Sequence, residues 1–314
     1  MEMLSVIIPI YNELNNIKTL AEQTKAALND ILEEYEIIFV NDGSSDGSDT
    51  KLDELSDADK RIKVIHFRKN FGQTAAIMAG IDASSGSIII TMDGDLQNDP
   101  KDIKNLLSKL NEGYDVCSGW RKDRKDNHLK RNLPSKLANW FISKVSGVHL
   151  NDYGCTLKAY KRHVIENVKL YGEMHRFIPI YAVWQGAKIT EIPVQHHPRI
   201  HGKSKYGSER AIKVVLDLLV IKFLEKYAKN PIYIFGGVGM LILFGSFFFF
   251  CLMLYYKISG LGDFIQTPLP QLITFLVLMG SMTILMGFIA EILMRTYHES
   301  QNKSIYLVKY KRNL

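Results

Sequence analysis

Residues 87–98 read SIIITMDGDLQN. An apolar, β-branched run gives way to two carboxylates one residue apart, Asp93 and Asp95, with a glycine between them. The run fits a strand buried on both faces, and the acidic pair falls just past its carboxyl end. Two close carboxylates in that place make a hard oxygen site that suits Mg²⁺ or Mn²⁺, with the remaining positions filled by water and substrate phosphates. The natural partner of such an ion is a nucleoside diphosphate, whose leaving-group charge it neutralises.

The same arrangement recurs on either side. Leu4–Ile10, Glu36–Val40, Lys63–Phe67 and Asp115–Gly119 are further short apolar runs, and Ile17–Leu32, residues 48–59, Gln73–Ala83 and Pro100–Asn111 read as helices between them. The last helix has a clean start, with Asp99 as N-cap and Pro100 at its first position. Strand–helix alternation predicts an α/β fold with a mostly parallel sheet, and ligands of such sheets bind beyond the carboxyl ends of the strands. Tyr11, Asn12 and Glu13 follow the first run, and the second leads into Asn41-Asp42-Gly43-Ser44-Ser45-Asp46. Alone, the latter reads equally well as a turn with a helix cap. In register with the acidic pair it becomes part of a ligand site. The chain has neither GxxxxGK[ST] nor a GxGxxG after its first strand, which argues against P-loop and dinucleotide chemistry.

At 314 residues with a net charge of +6, the chain has room for about two domains, and 46% hydrophobic content excludes wholesale disorder. The apolar residues are concentrated late. Ile232 to Tyr256 is 25 residues without a charge and Gln271 to Ala290 another 20, each long enough to cross a hydrocarbon core. Lysines at 213, 222, 226 and 229 precede the first span, and Arg295, Lys303, Lys309, Lys311 and Arg312 follow the second. The 257–270 loop holds only Lys257 and Asp263. The positive-inside rule then predicts cytoplasmic termini and an outward loop. The N-terminus carries no signal-peptide pattern, and Cys117, Cys155 and Cys251 are too scattered for a disulfide framework.

The series VIIPIYNE, VNDGSSDGS, HFRKNFGQTAA and DGDLQNDP resembles the nucleotide-binding half of family-2 glycosyltransferases with the GT-A fold. More narrowly, with the closing GFIAEILMRTYHESQNKSIYLVK, the chain is similar to the bacterial polyprenol-phosphate glycosyltransferases. The resemblance implies that Pro9, Tyr11, Glu13 and Asp42 line the pocket of a nucleotide sugar and that Asp93 contacts the nucleotide. It implies that Asp95, with Gln97 and Asp93, holds the metal, and that Arg121 lies near the donor and acceptor phosphates. Asp152 would stand near the reaction centre. Arg131 and Ser135, four residues apart, would hold the lipid phosphate as in dolichyl-phosphate mannose synthases, and Arg199, Ser204 and Lys205 would belong to an acceptor loop, RIHGKSKYG. The implied activity is metal-dependent, inverting transfer of a sugar from a nucleotide sugar to undecaprenyl or another polyprenyl phosphate, at the cytoplasmic face of a bacterial plasma membrane. UDP-glucose is the first expectation by family frequency, with GDP-mannose and UDP-N-acetylglucosamine behind it. A homo-oligomer, a flippase and a downstream glycosyltransferase are implied as partners, and nucleic acid is not.

The residues themselves agree about the acceptor. Residues 121–131 carry six basic groups and residues 199–213 five. The second cluster leads into Ile212, Leu216, Leu219, Val220, Phe223 and Tyr227, one face of a helix suited to the membrane interface. Cations at membrane height match anionic lipid head groups. A phosphate monoester is largely dianionic near neutrality, so it can attack an anomeric carbon without a strong general base. The expected organisation is a catalytic domain over 1–208, a juxtamembrane helix over 209–231, two transmembrane helices within 232–294 (about 232–256 and 271–290) and a cytoplasmic tail over 295–314. His175 and Arg176 resemble a family segment on the acceptor side, although a packed or surface histidine is the plainer reading. His196, His197 and His201 lack metal-ligand spacing, and Glu291 sits at the inner end of the second span. Two rival readings are a processive polysaccharide synthase, against which stand the missing QxxRW motif and the few spans, and a silent membrane-anchored nucleotide-sugar scaffold.

Overall fold

β1 (Leu4–Ile10) and β2 (Tyr35–Asn41) pair in parallel as the middle of the sheet, with β3 (Ile62–Phe67) parallel beyond β2 and β4 (Ile88–Thr91) parallel beyond β1. The computed structural model describes residues 3–31, 34–122, 139–140, 142–144, 146–166, 168, 174–199, 232–259, 267–299 and 306–314. It divides into two units, Met1–Leu219 with Ser304–Leu314, and Val220–Lys303.

The side chains of the central strands alternate between two cores, as a period of two requires. Ile37 and Phe39 join Val6, Ile8 and Ile10 beneath α1 (Leu14–Asn29), α2 (Ser48–Ala58) and α4 (Ile103–Asn111). Ile38 and Val40 point the other way, with Ile65 and Phe67, onto α3 (Gln73–Ala83). Helix α3 lies close on β1 because Gly80 faces Ile7; a Cβ there would come within 2.3 Å of the Ile7 side chain. That close approach fixes where the amino end of α3, carrying Gln73, meets the sheet edge. The Asp99 side chain accepts from the Lys101 backbone amide and so caps the turn Pro100–Asp102 that opens α4.

Beyond β4 the order departs from simple alternation. β5 (Val116–Trp120) does not pair with β4. β6 (Lys158–Lys161) inserts antiparallel between them, and β7 (Ile189–Pro193) adds parallel to β5 after α5 (Ile178–Trp184). Because β6 runs backwards, the residues just before it, 151–157, arrive at the same sheet edge as the carboxyl ends of β4 and β5. At the far edge β8 (Val308–Arg312) pairs antiparallel with β3. The sheet then has the order β7-β5-β6-β4-β1-β2-β3-β8 among the described residues. The final residues, expected as a tail, thus include a strand of this sheet.

The second unit consists, in its described residues, of α6 (Ile232–Ile258) and α7 (Leu269–Glu299). Ile234–Ile258 and Leu269–Ala290 are each long and apolar enough to cross a membrane, at a mean hydropathy of 2.3. The two run antiparallel, with Gly239 against Ile284 and Gly280, and the Ser246 hydroxyl donating to Ile273 O at 3.3 Å. Small residues at that seam let the backbones approach, which is what holds helices together where no water drives association. Phe244, Phe248, Leu285 and Phe288 face outward.

Candidate active site

The carboxyl ends of β1, β2 and β4 open onto one cleft of about 330 Å³, lined among others by Pro9, Tyr11, Glu13, Asp42, Asp93, Asp95 and Arg199. Seven residues singled out from four separate stretches of sequence therefore meet in one place. The same lining includes Asn70, Gly72 and Gln73, which sequence reasoning quoted within HFRKNFGQTAA but gave no role. Their signal was position, since NFGQ follows the β3 run as NDGS follows β2.

Asp42 anchors this wall of the cleft. Its carboxylate accepts from the backbone amides of Phe71 at 2.6 Å and Gly72 at 2.9 Å, and Asn70 donates to its carbonyl at 3.3 Å. Burial pushes the Asp42 carboxyl up to about 6, against the opposing pull of the two amides. Gly43 makes the contact possible. It sits at φ +68°, and a Cβ would fall 2.4 Å from the Lys69 carbonyl carbon, so only glycine fits there. The rest of the loop is tied to β1's end, where Asn12 N donates to Ser44 Oγ at 2.9 Å and Ser45 N to Asn12 Oδ1 at 2.8 Å.

Asp93 accepts from the Gln73 side-chain amide at 2.6 Å. Asp95 is only 8% exposed and is met by Arg199, Nη2 to Oδ2, at 2.5 Å. Burial first, then the neighbouring Asp93 charge, pushes the Asp95 carboxyl up to about 6 although Arg199 works the other way. Residues 194–199 deliver that arginine by running beside 95–102. His197 N donates to Gln97 O at 2.9 Å, Gln195 N to the Asp102 carboxylate at 2.7 Å, and Asn98 bridges His196. His196 and His197 thus serve strand-like pairing, and the Gln97 side chain donates to His197 O at 3.4 Å.

Among the described residues no group of three or more His, Cys, Asp or Glu gathers to hold a metal. A pair of carboxylates still fits a divalent ion that takes its other ligands from a diphosphate and water. The pair's surroundings fit as well, because burial and mutual repulsion leave Asp95 with a demand for positive charge that Arg199 now meets.

Arg121 and Asp152 lie together at the end of β5. The guanidinium donates from Nε to Oδ2 at 2.7 Å and from Nη2 to Oδ1 at 3.0 Å, a bidentate pair. Asp152 is buried and also accepts from Gly154 N at 3.0 Å. Lys158, fully buried below, donates to Tyr153 O at 3.1 Å, and burial pushes its amine down to about 8. Arg131, Ser135, His201, Ser204, Lys205 and the segment 209–231, expected as a juxtamembrane helix, lie outside the described residues.

Comparison with known proteins decides the family. The model for glycosyl transferase family 2 matches residues 5–169. The chain belongs to that family. It is 40% identical to the dodecaprenyl-phosphate galacturonate synthase of Rhizobium johnstonii, over 98% of this chain and 92% of that one. It is 35% identical to an undecaprenyl-phosphate 4-deoxy-4-formamido-L-arabinose transferase of Pseudomonas fluorescens, over 97% and 88%. The catalytic fold also matches the crystal structure of glucosyl-3-phosphoglycerate synthase from Mycobacterium tuberculosis, solved with Mn²⁺, UDP-glucose and phosphoglyceric acid. That match has a TM-score of 0.54 and 15% identity, over 70% of this chain and 79% of that one. This family-2 glycosyltransferase is therefore an enzyme with a GT-A α/β domain followed by two membrane-length helices.

Proposed function

We propose that this glycosyltransferase moves a sugar from a nucleotide sugar to a polyprenyl phosphate at the membrane surface. The observation that carries the reading is the gathering of Asp42, Asp93, Asp95 and Arg199 in one cleft, in a chain that also has two membrane-length helices. The relatives named above act on dodecaprenyl and undecaprenyl phosphates and match nearly the whole chain.

In this reading Pro9, Tyr11, Glu13 and Asp42 form the nucleotide side of the cleft, with Asp93 against the nucleotide's sugar and phosphates. Asp95, Asp93 and Gln97 would hold Mg²⁺ or Mn²⁺, which when bound offsets the charge of the diphosphate leaving group. Arg121 and Arg199, with Arg131, Ser135, Ser204 and Lys205, would face the acceptor phosphate. Asp152 fixes the Arg121 guanidinium through two hydrogen bonds, so its share in the reaction is that of a positioning residue. The acceptor is already an anion at neutral pH, so the task left to these side chains is to bring two negative partners in line. Direct displacement inverts the anomeric centre.

The relatives' names favour a uronic acid or a modified pentose as the sugar, and glucose, mannose and N-acetylglucosamine are further arms of one test. On orientation, the return of β8 to the sheet that holds β1 supports a reading in which both flanks of the two helices share one side of a membrane. The basic flanks and near-neutral 257–270 loop support a cytoplasmic, bacterial setting for the catalytic domain.

The test uses full-length protein in detergent with undecaprenyl phosphate and Mg²⁺ or Mn²⁺, screened against UDP-galacturonate, UDP-4-deoxy-4-formamido-L-arabinose, UDP-glucose, UDP-N-acetylglucosamine and GDP-mannose. Lipid-dependent release of nucleotide with one donor, and a matching glycolipid of inverted configuration, is expected. Retained configuration overturns the displacement mechanism. Release with no donor overturns the activity and favours the scaffold reading.

A further inference from the structure

Lys158 opens β6 and is only 2% exposed. Its backbone is pinned between two strands, in register with Thr91 of β4 and Ser118 of β5. Just before it, Thr91 Oγ1 donates to Thr156 O at 2.7 Å and Gly119 N to Leu157 O at 2.9 Å. The space that the side chain lines with Thr91, Gly154 and Tyr160 measures about 10 Å³, room for one water at most. The ammonium is therefore answered by the protein. It donates to Tyr153 O at 3.1 Å, and the Asp152 carboxylate favours its charged form.

A buried lysine is costly, and methionine would fill a similar volume without desolvating a charge. The turn beside it supplies a reason for the charge. Tyr153 O and Gly154 N belong to one trans peptide, whose C=O and N–H point in opposite directions. The C=O accepts from Lys158, and the N–H donates to Asp152 Oδ1 at 3.0 Å. Lysine and aspartate thus grip a single planar unit from opposite sides, and a cation on the carbonyl strengthens the donation at the other end. The same Asp152 carboxylate receives Arg121 Nε at 2.7 Å and Nη2 at 3.0 Å.

We propose that Lys158 is a positioning residue of the transfer reaction, whose ammonium holds the Tyr153–Gly154 peptide and through it sets the Asp152 carboxylate that orients Arg121. The effect on transfer rests on the function proposed above, in which Arg121 faces the acceptor phosphate, whereas the grip on Arg121 can be tested without turnover. Loss of the lysine proton loosens that grip, and burial, which pushes this amine down to about 8, brings the loss into mildly alkaline conditions. The other charged or titratable groups around the amine are Arg121, Asp152, Tyr153, Cys155, Tyr160, His175 and Arg176. Burial pushes the Cys155 thiol up to about 11 and raises both tyrosines, so none of these three gains charge between pH 7 and 9. The Lys158 variants separate its titration from that of His175.

The experiment labels full-length protein in detergent with ¹⁵N at arginine Nε and identifies the Arg121 resonance by its loss in Arg121→Lys. In wild type the resonance is expected to hold one position at pH 7 and to move as pH rises to 9. Lys158→Met is expected to show the moved resonance already at pH 7, with a melting temperature no lower than wild type and UDP affinity within twofold. Lys158→Arg, whose side chain stays charged, is expected to keep the wild-type position up to pH 9. The wild-type pH series needs no variant and serves should a substitution fail to fold. Transfer is expected to follow the resonance. At pH 7 Lys158→Met loses at least tenfold in kcat/KM for undecaprenyl phosphate, and Lys158→Arg recovers part of it. The alkaline fall seen in wild type is absent from both. An Arg121 resonance that ignores pH in wild type, or is unchanged in Lys158→Met, overturns the proposal. So does transfer that Lys158→Met leaves intact, or a loss matched by an equal loss of UDP affinity. A resonance that depends on Lys158, in a wild type that transfers no sugar, would instead overturn the proposed function and leave the grip on Arg121 standing.

Discussion

Arg199 Nη2 lies 2.5 Å from Asp95 Oδ2, so the buried carboxylate assigned to the metal is answered by a fixed positive charge from the chain itself. A divalent ion and a guanidinium compete for the same oxygen, and the ion must displace the arginine to coordinate there. Removing the arginine therefore removes a competitor. Arg199→Gln is expected to bind Mn²⁺ severalfold more tightly than wild type when no nucleotide is present, as measured by the electron paramagnetic resonance of free Mn²⁺. Asp95→Ala is expected to lose both Mn²⁺ binding and sugar transfer. Unchanged or weaker Mn²⁺ affinity in Arg199→Gln would show that Arg199 does not stand in for the ion.

Asp42 gives a pH dependence of definite sign. Its carboxyl is pushed up to about 6 in the folded chain, chiefly by burial, whereas an unfolded aspartate titrates near ~3.9. Between those values the folded state binds more protons than the unfolded one, so this group's contribution to stability falls as pH rises through the window. The loss is on the order of 3 kcal/mol once Asp42 is ionised. Asp95, raised for a related reason, adds a slope of the same sign. Thermal unfolding of the metal-free protein is expected to weaken from pH 4.5 to 7, and Asp42→Asn to flatten part of that trend while losing nucleotide affinity. An Asp42→Asn protein with the full wild-type slope would remove Asp42 as its source.

The return strand offers a third test. Tyr310 of β8 stacks on His66 at 4.3 Å between ring centroids and donates to Asp53 at 2.9 Å. His66 Nδ1 lies 3.0 Å from the Asn41 side-chain amide, and Asn41 Oδ1 accepts from Ser44 N. The contact between the final strand and the nucleotide-side loop thus passes through one buried histidine. Tyr310→Phe removes one hydrogen bond and is expected to cost about 1 kcal/mol. Tyr310→Ala removes the stack as well and is expected to cost about 2–3 kcal/mol and to weaken UDP binding severalfold. Both are read from melting temperature and UDP calorimetry in the full-length protein. Normal UDP affinity in Tyr310→Ala would confine β8 to a structural role.

How much of this was legible follows from where the signals are strong. The first five strands announce themselves as apolar runs, and their ends carry Tyr11, Asp42, Asp93, Asp95 and Arg121, so half of the sheet and most of the cleft are readable. β6 is KAYK, with a lysine at each end, one of them fully buried; nothing in that pattern announces a buried strand. β8 is VKYKR, half-buried at best, and lysines on an edge strand look the same as lysines on a solvated tail. The pairing of Arg199 with Asp95 joins residues 104 apart and depends on residues 194–199 running beside 95–102, which spacing does not reveal.

Gly43 and Gly47 provide a matched pair for the last test. Both have positive φ, +68° and +91°, so alanine at either pays the left-handed backbone penalty, about 1–2 kcal/mol. They differ in what a Cβ would meet. At Gly47 the nearest atom is Leu14 Cδ2 at 3.7 Å, an ordinary contact, but at Gly43 it is Lys69 backbone at 2.4 Å, with Asn70 N at 2.6 Å. Backbone cannot swing aside as a side chain does, so Gly43→Ala must push residues 69–72 away from the loop. That movement breaks the amide bonds from Phe71 and Gly72 to Asp42. Gly43→Ala is therefore expected to lose more than about 3 kcal/mol of stability and at least tenfold in UDP affinity. Gly47→Ala should keep near-normal UDP binding with the backbone penalty alone. Melting temperatures and UDP calorimetry on the two variants decide it, and equal loss of UDP affinity in both would mean that the close approach at Gly43 does not shape the nucleotide side of the cleft.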